Sequence, residues 1–96
     1  MKAVRFHPAA ESEMIEAAPY YEAQQPDLGW RFLASVQDAV NRISVMPRLY
    51  PIVELDVHRC LTKTFPFEVL LRERPDTILT MAAMHLHRDP DTWKSR

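Results

Sequence analysis

Residues 65–74 and 77–87 constrain this chain most. Both segments are rich in consecutive apolar residues, and the intervening Arg74-Pro75-Asp76 spells a tight turn. With the two-residue period of a strand, Phe67, Val69 and Leu71 oppose Leu70 in the first segment, while Ile78 and Met84 oppose Leu79 and Met81 in the second. Strands that are apolar on both sides are covered, at least in part, on both sides. The second segment runs directly into His85, His87, Arg88 and the Asp89-Pro90 pair, so core and candidate site share one end of the chain.

The upstream sequence supplies the covering elements. Alternation over residues 2–7 reads as a short strand. A first helix is predicted over residues 8–24, with Pro8 at its first position, Glu11 and Glu13 near its positive end, and a buried face of Ala10, Met14, Ala17, Ala18 and Tyr21. Pro19 predicts a kink or break, because a proline inside a helix costs about 3 kcal/mol. Asp27 is the predicted N-cap of a second helix. Its stripe of Phe32, Val36, Val40 and Ile43, with Leu33 and Ala39 beside it, ends before Pro47. So short a connection predicts an antiparallel helical hairpin.

Residues 50–56 read as a loop or irregular edge, and residues 57–64 as the first strand of a three-stranded antiparallel meander. Asp89-Pro90 predicts a short C-terminal helix ending with Trp93 and Lys94. The expected fold is therefore α+β: an N-terminal strand, an antiparallel helical hairpin packed on a mainly antiparallel sheet, and a short C-terminal helix. The hairpin covers one face of the sheet, which leaves the other as an apolar surface for a partner.

Composition narrows the functional classes. The chain has 96 residues, 47% hydrophobic and 26% charged, as expected of one soluble domain spanning residues 1–96. The single cysteine, Cys60, has no internal partner for a disulfide and reads as a small buried hydrophobe; with no signal-like leader and no long apolar run, it points to the cytoplasm and away from membranes. A formal net charge of -1 provides no general field for nucleic acid, so direct nucleic-acid binding is not expected. Gly29 is the only glycine, which excludes a Gly-rich phosphate loop. His85 and His87, with His58 or Cys60 nearby, match no zinc spacing. A strand-end histidine bonded to its turn or to Trp93 is the simpler reading, and no metal or cofactor is expected.

Several landmarks recur in one order along nearly the whole chain: Ala18-Pro19-Tyr20-Tyr21-Glu22, Leu28-Gly29 with Arg31-Phe32-Leu33, Pro47 with Tyr50-Pro51, Arg59, Phe65-Pro66-Phe67, and His85 followed by Arg88-Asp89-Pro90 and Trp93. On this set the chain resembles the RelE/ParE toxin superfamily of type II toxin–antitoxin systems, most closely its ParE-like, plasmid-stabilisation branch. Pro19 stands where the superfamily usually has a good helix former, and Leu71 where many members have tyrosine. The resemblance implies a growth-inhibiting toxin neutralised by a cognate antitoxin in a hetero-oligomer. ParE-like members poison DNA gyrase by binding, whereas RelE-like members cleave mRNA on the ribosome.

The residues available for metal-independent RNA cleavage are Arg59, Arg72, His85, His87 and Arg88, with Lys63 nearby: imidazoles for proton transfer and guanidinium groups for phosphate. Glu68 would repel that phosphate. The net charge suits ribosomal RNA poorly, and no tyrosine follows the last strand. The preferred expectation is therefore a gyrase-directed toxin without catalytic residues, whose target contacts are His85, Arg88 and Trp93. A ribonuclease is the alternative, and an inactive antitoxin-binding relative the third. Arg72 paired with Glu54 or Asp56, Trp93 as a lid on the core, and Tyr20 and Tyr21 as hairpin packing are the structural readings of the same residues.

Overall fold

The computed structural model describes residues 2–96. The chain enters on a strand, β1 (Ala3–Phe6), and turns at His7 into α1 (Pro8–Gln24). His7 caps that helix, its Nδ1 accepting the Ala9 N–H at 3.1 Å, while Pro8 occupies the first turn. A three-residue connection leads to α2 (Leu28–Val45), and a 3-10 turn at Pro47–Leu49 ends the helical half. The strands β2 (Ile52–Glu54), β3 (Val57–Leu61), β4 (Phe67–Glu73) and β5 (Thr77–His85) follow.

The five strands form one sheet in the order β1-β5-β4-β3-β2. β1 runs parallel to β5, with Ala3 opposite Thr77, and the other pairs are antiparallel. The expected meander is present as β3–β5. The irregular edge is β2, whose pairing with β3 shifts register between Ile52 and Glu54.

Both helices pack on one face, α1 over β5 and α2 over β3 and β4. Phe32, Val36, Ala39, Val40 and Ile43 are buried there against Cys60, Phe67, Val69, Leu71 and Ile78. Each large apolar side chain buried in this way contributes about 1.5–3 kcal/mol. Tyr21 stacks on Phe32 at 5.0 Å between ring centroids and meets Phe65 edge-on, so the tyrosine is hairpin packing as read from the sequence.

Four expectations are corrected. Of the kink or break expected at Pro19, the break is overturned: α1 is continuous from Pro8 to Gln24, and the proline lies on the exposed side, where the carbonyl that loses its N–H partner can face water. Asp27 precedes α2 but caps nothing with its side chain, because its backbone is left-handed at φ 71°. Glu22 does that work from α1, its carboxylate accepting the N–H groups of Asp27 and Gly29 at 3.0 Å each. Ile78 and Met84 do not share a face: Leu70 pairs with Ala82 and Leu71 with Thr80, so Met81 is an extra residue that switches the alternation of β5.

The fourth correction concerns the C-terminal segment. Residues 90–95 form successive turns and no helix, with i→i+3 bonds from Thr92 to Asp89, Lys94 to Asp91 and Arg96 to Trp93. These bonds fall on alternate residues, so no helical ladder propagates. Long-range anchors hold the segment in place: Trp93 is buried and the Arg96 side chain is bound to α1.

Candidate functional site

The face of the sheet away from the helices is built from alternate residues: Val57 and Arg59 on β3, Glu68, Leu70 and Arg72 on β4, and Leu79, Met81, Ala82 and Met84 on β5. The expected apolar surface exists, but it is closed. Trp93, 4% exposed, packs with Val57, Leu70, Met81, Ala82 and Met84, so the segment after β5 straps this face shut. Trp93 is thus the lid on a second small core.

Arg96 and Glu13 fasten the strap. The Arg96 guanidinium forks onto both Glu13 oxygens at 2.7 and 3.0 Å and also donates to the Met81 carbonyl at 2.9 Å, while Glu13 accepts the Ala83 N–H at 3.4 Å. β1 pairs with β5 only as far as Thr80, and this ion pair serves the edge of β5 beyond it. The sequence reading missed both residues; 83 positions separate them, and no local pattern links an acid in a helix to an arginine in an irregular tail.

Beside Trp93 a cleft of about 300 Å³ opens, lined by Arg59, Glu68, Leu86, Arg88, Lys94 and Glu54 among others. Arg59 and Arg88 have no ion-pair partner among the described residues, whereas Lys94 is held by Glu54 at 2.7 Å and by Asp91, which raises its pKa. Burial pushes the Glu68 carboxyl above its usual range, and the positive charge of Arg59 pulls it part of the way back. Arg72 is bound to Asp56 at 2.8 Å, the structural pairing expected for it.

The histidines lie elsewhere. His85 is half-buried and lines clefts against α1 together with Phe67, whose ring centroid is 5.5 Å away. Its Nδ1 accepts the His87 N–H at 3.0 Å, and the two imidazole centroids are 5.1 Å apart, so it bonds its own turn. Arg88 borders both the His85 cleft and the Arg59 cleft and therefore marks their shared rim.

Of the residues considered for RNA cleavage, the structure brings Arg59 and Arg88 together and sets His85 and His87 apart from Arg59. Arg72 is neutralised, and Glu68 occupies the cleft a phosphate would enter. Arg88 alone of the guanidinium groups lines a cleft together with His85, while Arg59 lines the cleft beside Trp93. No group of three or more His, Cys, Asp or Glu that could hold a metal occurs among the described residues, and no described helix is long and apolar enough to cross a membrane.

A strand, a helical hairpin and a mixed sheet closed by an irregular strap make an α+β fold, the fold class that the landmark residues implied. Among solved structures, the chain is similar to one from the chromosomal ParDE TA system from P. aeruginosa, with a TM-score of 0.77 and 12% identity over 88% of this chain and 96% of that one. No protein-family profile and no curated sequence matches.

Proposed function

We propose that this protein is the toxin of a type II toxin–antitoxin pair, neutralised by a cognate antitoxin, and that it acts on DNA gyrase by binding rather than by catalysis. The observation that carries the toxin reading is the agreement of nearly the whole fold with a chain of a ParDE TA system. The choice of gyrase rests on the ParE-like landmarks in the sequence, and the separation of His85 and His87 from Arg59 favours a binding mechanism over RNA cleavage.

The target surface is the rim where the two clefts meet, with Arg88 and His85 in contact and Trp93 positioning the strap beneath them. An exposed arginine that shares a cleft with an aromatic lid suits protein recognition. The test is a supercoiling assay with purified gyrase. The protein should block supercoiling or trap cleaved DNA, and Arg88→Ala should weaken this at least about ten-fold while leaving thermal unfolding unchanged. Undisturbed supercoiling, together with cut messages in a translating extract that disappear with His85→Ala, would replace this reading with the ribonuclease one.

A further inference from the structure

Leu55 stands at the tip of the β2–β3 hairpin, and the fold gives no reason for a leucine there. Glu54 pairs with Val57, so Leu55 and Asp56 alone make the turn. The backbone of Leu55 is left-handed at φ 53°, a conformation that glycine, asparagine or aspartate adopts more readily. In a two-residue hairpin turn such a position ordinarily holds one of those small residues. The leucine side chain is 79% exposed, the highest value among the exposed large apolar residues, and it belongs to neither core. Leucine here thus strains the backbone and leaves an apolar group in water. A residue that breaks local rules on both counts points to a contact outside the fold.

The turn is also held in place. Glu54, on one side of Leu55, binds Lys94 of the strap at 2.7 Å, and Asp56, on the other side, binds Arg72 of β4 at 2.8 Å. Ile52 and Val53, both exposed, continue the apolar surface along β2. Val53 and Glu54 line the cleft that contains Arg59 and Arg88, so the hairpin forms one rim of it. The charges in that cleft are unequally matched. Lys94 is shared by Glu54 and Asp91, and Arg59 lies close enough to Glu68 to act on its charge. Arg88 is exposed and makes no ion pair among the described residues.

We propose that Leu55 and Arg88 are the two anchors of one docking surface, and that its occupant is an acidic segment of the target protein. An apolar side chain of that segment lies on Leu55 and Val53, and a carboxylate further along it meets the Arg88 guanidinium. A phosphodiester chain, charged at every unit, fits less well, because Glu54 and Glu68 line the same cleft and an exposed leucine has nothing to offer a phosphate. The inference rests on the target reading given above and adds to it a residue and a partner chemistry.

The test sets stability against inhibition. Leu55→Gly and Leu55→Asn relieve the backbone and remove the apolar side chain. Each should leave the melting temperature unchanged or raise it by about 2–5 °C, while the amount of protein that half-inhibits gyrase supercoiling rises at least about ten-fold. Leu55→Met keeps the apolar contact and should stay within about three-fold of the parent. Gyrase binding to the immobilised protein should weaken with added salt, and less so for Arg88→Ala. The same variants, induced in growing bacteria, are compared by the protein level at half-maximal growth arrest. A parent that arrests growth but spares gyrase removes the gyrase reading alone, and the anchor is then judged by this comparison. A parent inert in both assays overturns both. A melting temperature lowered by more than about 5 °C in both variants would show that Leu55 supports the fold and overturns the proposal. So does undiminished inhibition by both, binding indifferent to salt, or binding of a short DNA duplex that needs Arg88 and not Leu55.

Discussion

Arg96→Met tests the idea that one buried ion pair closes the helix-free face. The side chains of Arg96 and Glu13 are 9% and 8% exposed, so solvent screens their pairing little. Removing the guanidinium strands the Glu13 carboxylate with only a long bond from Ala83, at 3.4 Å, and leaves the Met81 carbonyl without its donor. Breaking a buried pair from one side costs about 3–5 kcal/mol. For a chain of this length the unfolding entropy is about 0.2 kcal/mol/K, so the melting temperature should fall by about 15–25 °C. Urea unfolding followed by far-UV circular dichroism gives the free energy directly. Glu13→Gln should cost a similar amount, because it leaves Arg96 charged and unpaired. The double variant Glu13→Gln/Arg96→Met should be clearly more stable than the sum of the singles predicts, with a coupling of about 2–3 kcal/mol. Single-variant losses below about 1 kcal/mol that simply add would show an ordinary surface pair and refute the clasp.

Further outcomes follow from other contacts. Gly29→Ala should destabilise the protein by about 1–3 kcal/mol in urea unfolding, although alanine is the better helix former, because the added methyl meets the Ala18 carbonyl and the Glu22 carboxylate at 2.9 and 3.0 Å. Trp93→Ala should cost about 3–5 kcal/mol and increase binding of a hydrophobic dye, since it uncovers Leu70, Met81 and Met84. Glu68 has a pKa raised by burial, so the folded state holds its proton more tightly than the unfolded chain does. That contribution is fully present below the ordinary glutamate range and is lost as pH rises through the higher folded value. Glu68→Gln should therefore gain stability relative to the parent between pH 4 and pH 7, measured as the difference in melting temperature at each pH.

Much of the fold was legible because its signals are local. The stripe from Phe32 to Ile43, Pro8 at one helix start, Pro47 just past the other helix and the Arg74-Pro75-Asp76 turn each act within a few residues. The features that escaped depend on distance along the chain. β1 finds β5 across more than 70 positions, Glu22 caps a helix other than its own, and the extra residue at Met81 becomes visible only once both strands are paired. The candidate site was legible as a set of residues and not as an arrangement. Periodicity puts Arg59, Glu68 and Arg72 on one face, but the side to which the chain turns after His85 is set by the bond from the His87 N–H and by the strap, neither of which has a sequence signature.

The most direct test of the toxin reading is the order in which syntheses fail when the protein is induced in growing bacteria without a neutralising partner, followed by incorporation of labelled thymidine and labelled methionine. A gyrase-directed toxin stops DNA synthesis first while translation continues. Arrest of protein synthesis first, with cleaved messages, would contradict the account, and so would unimpaired growth at full expression.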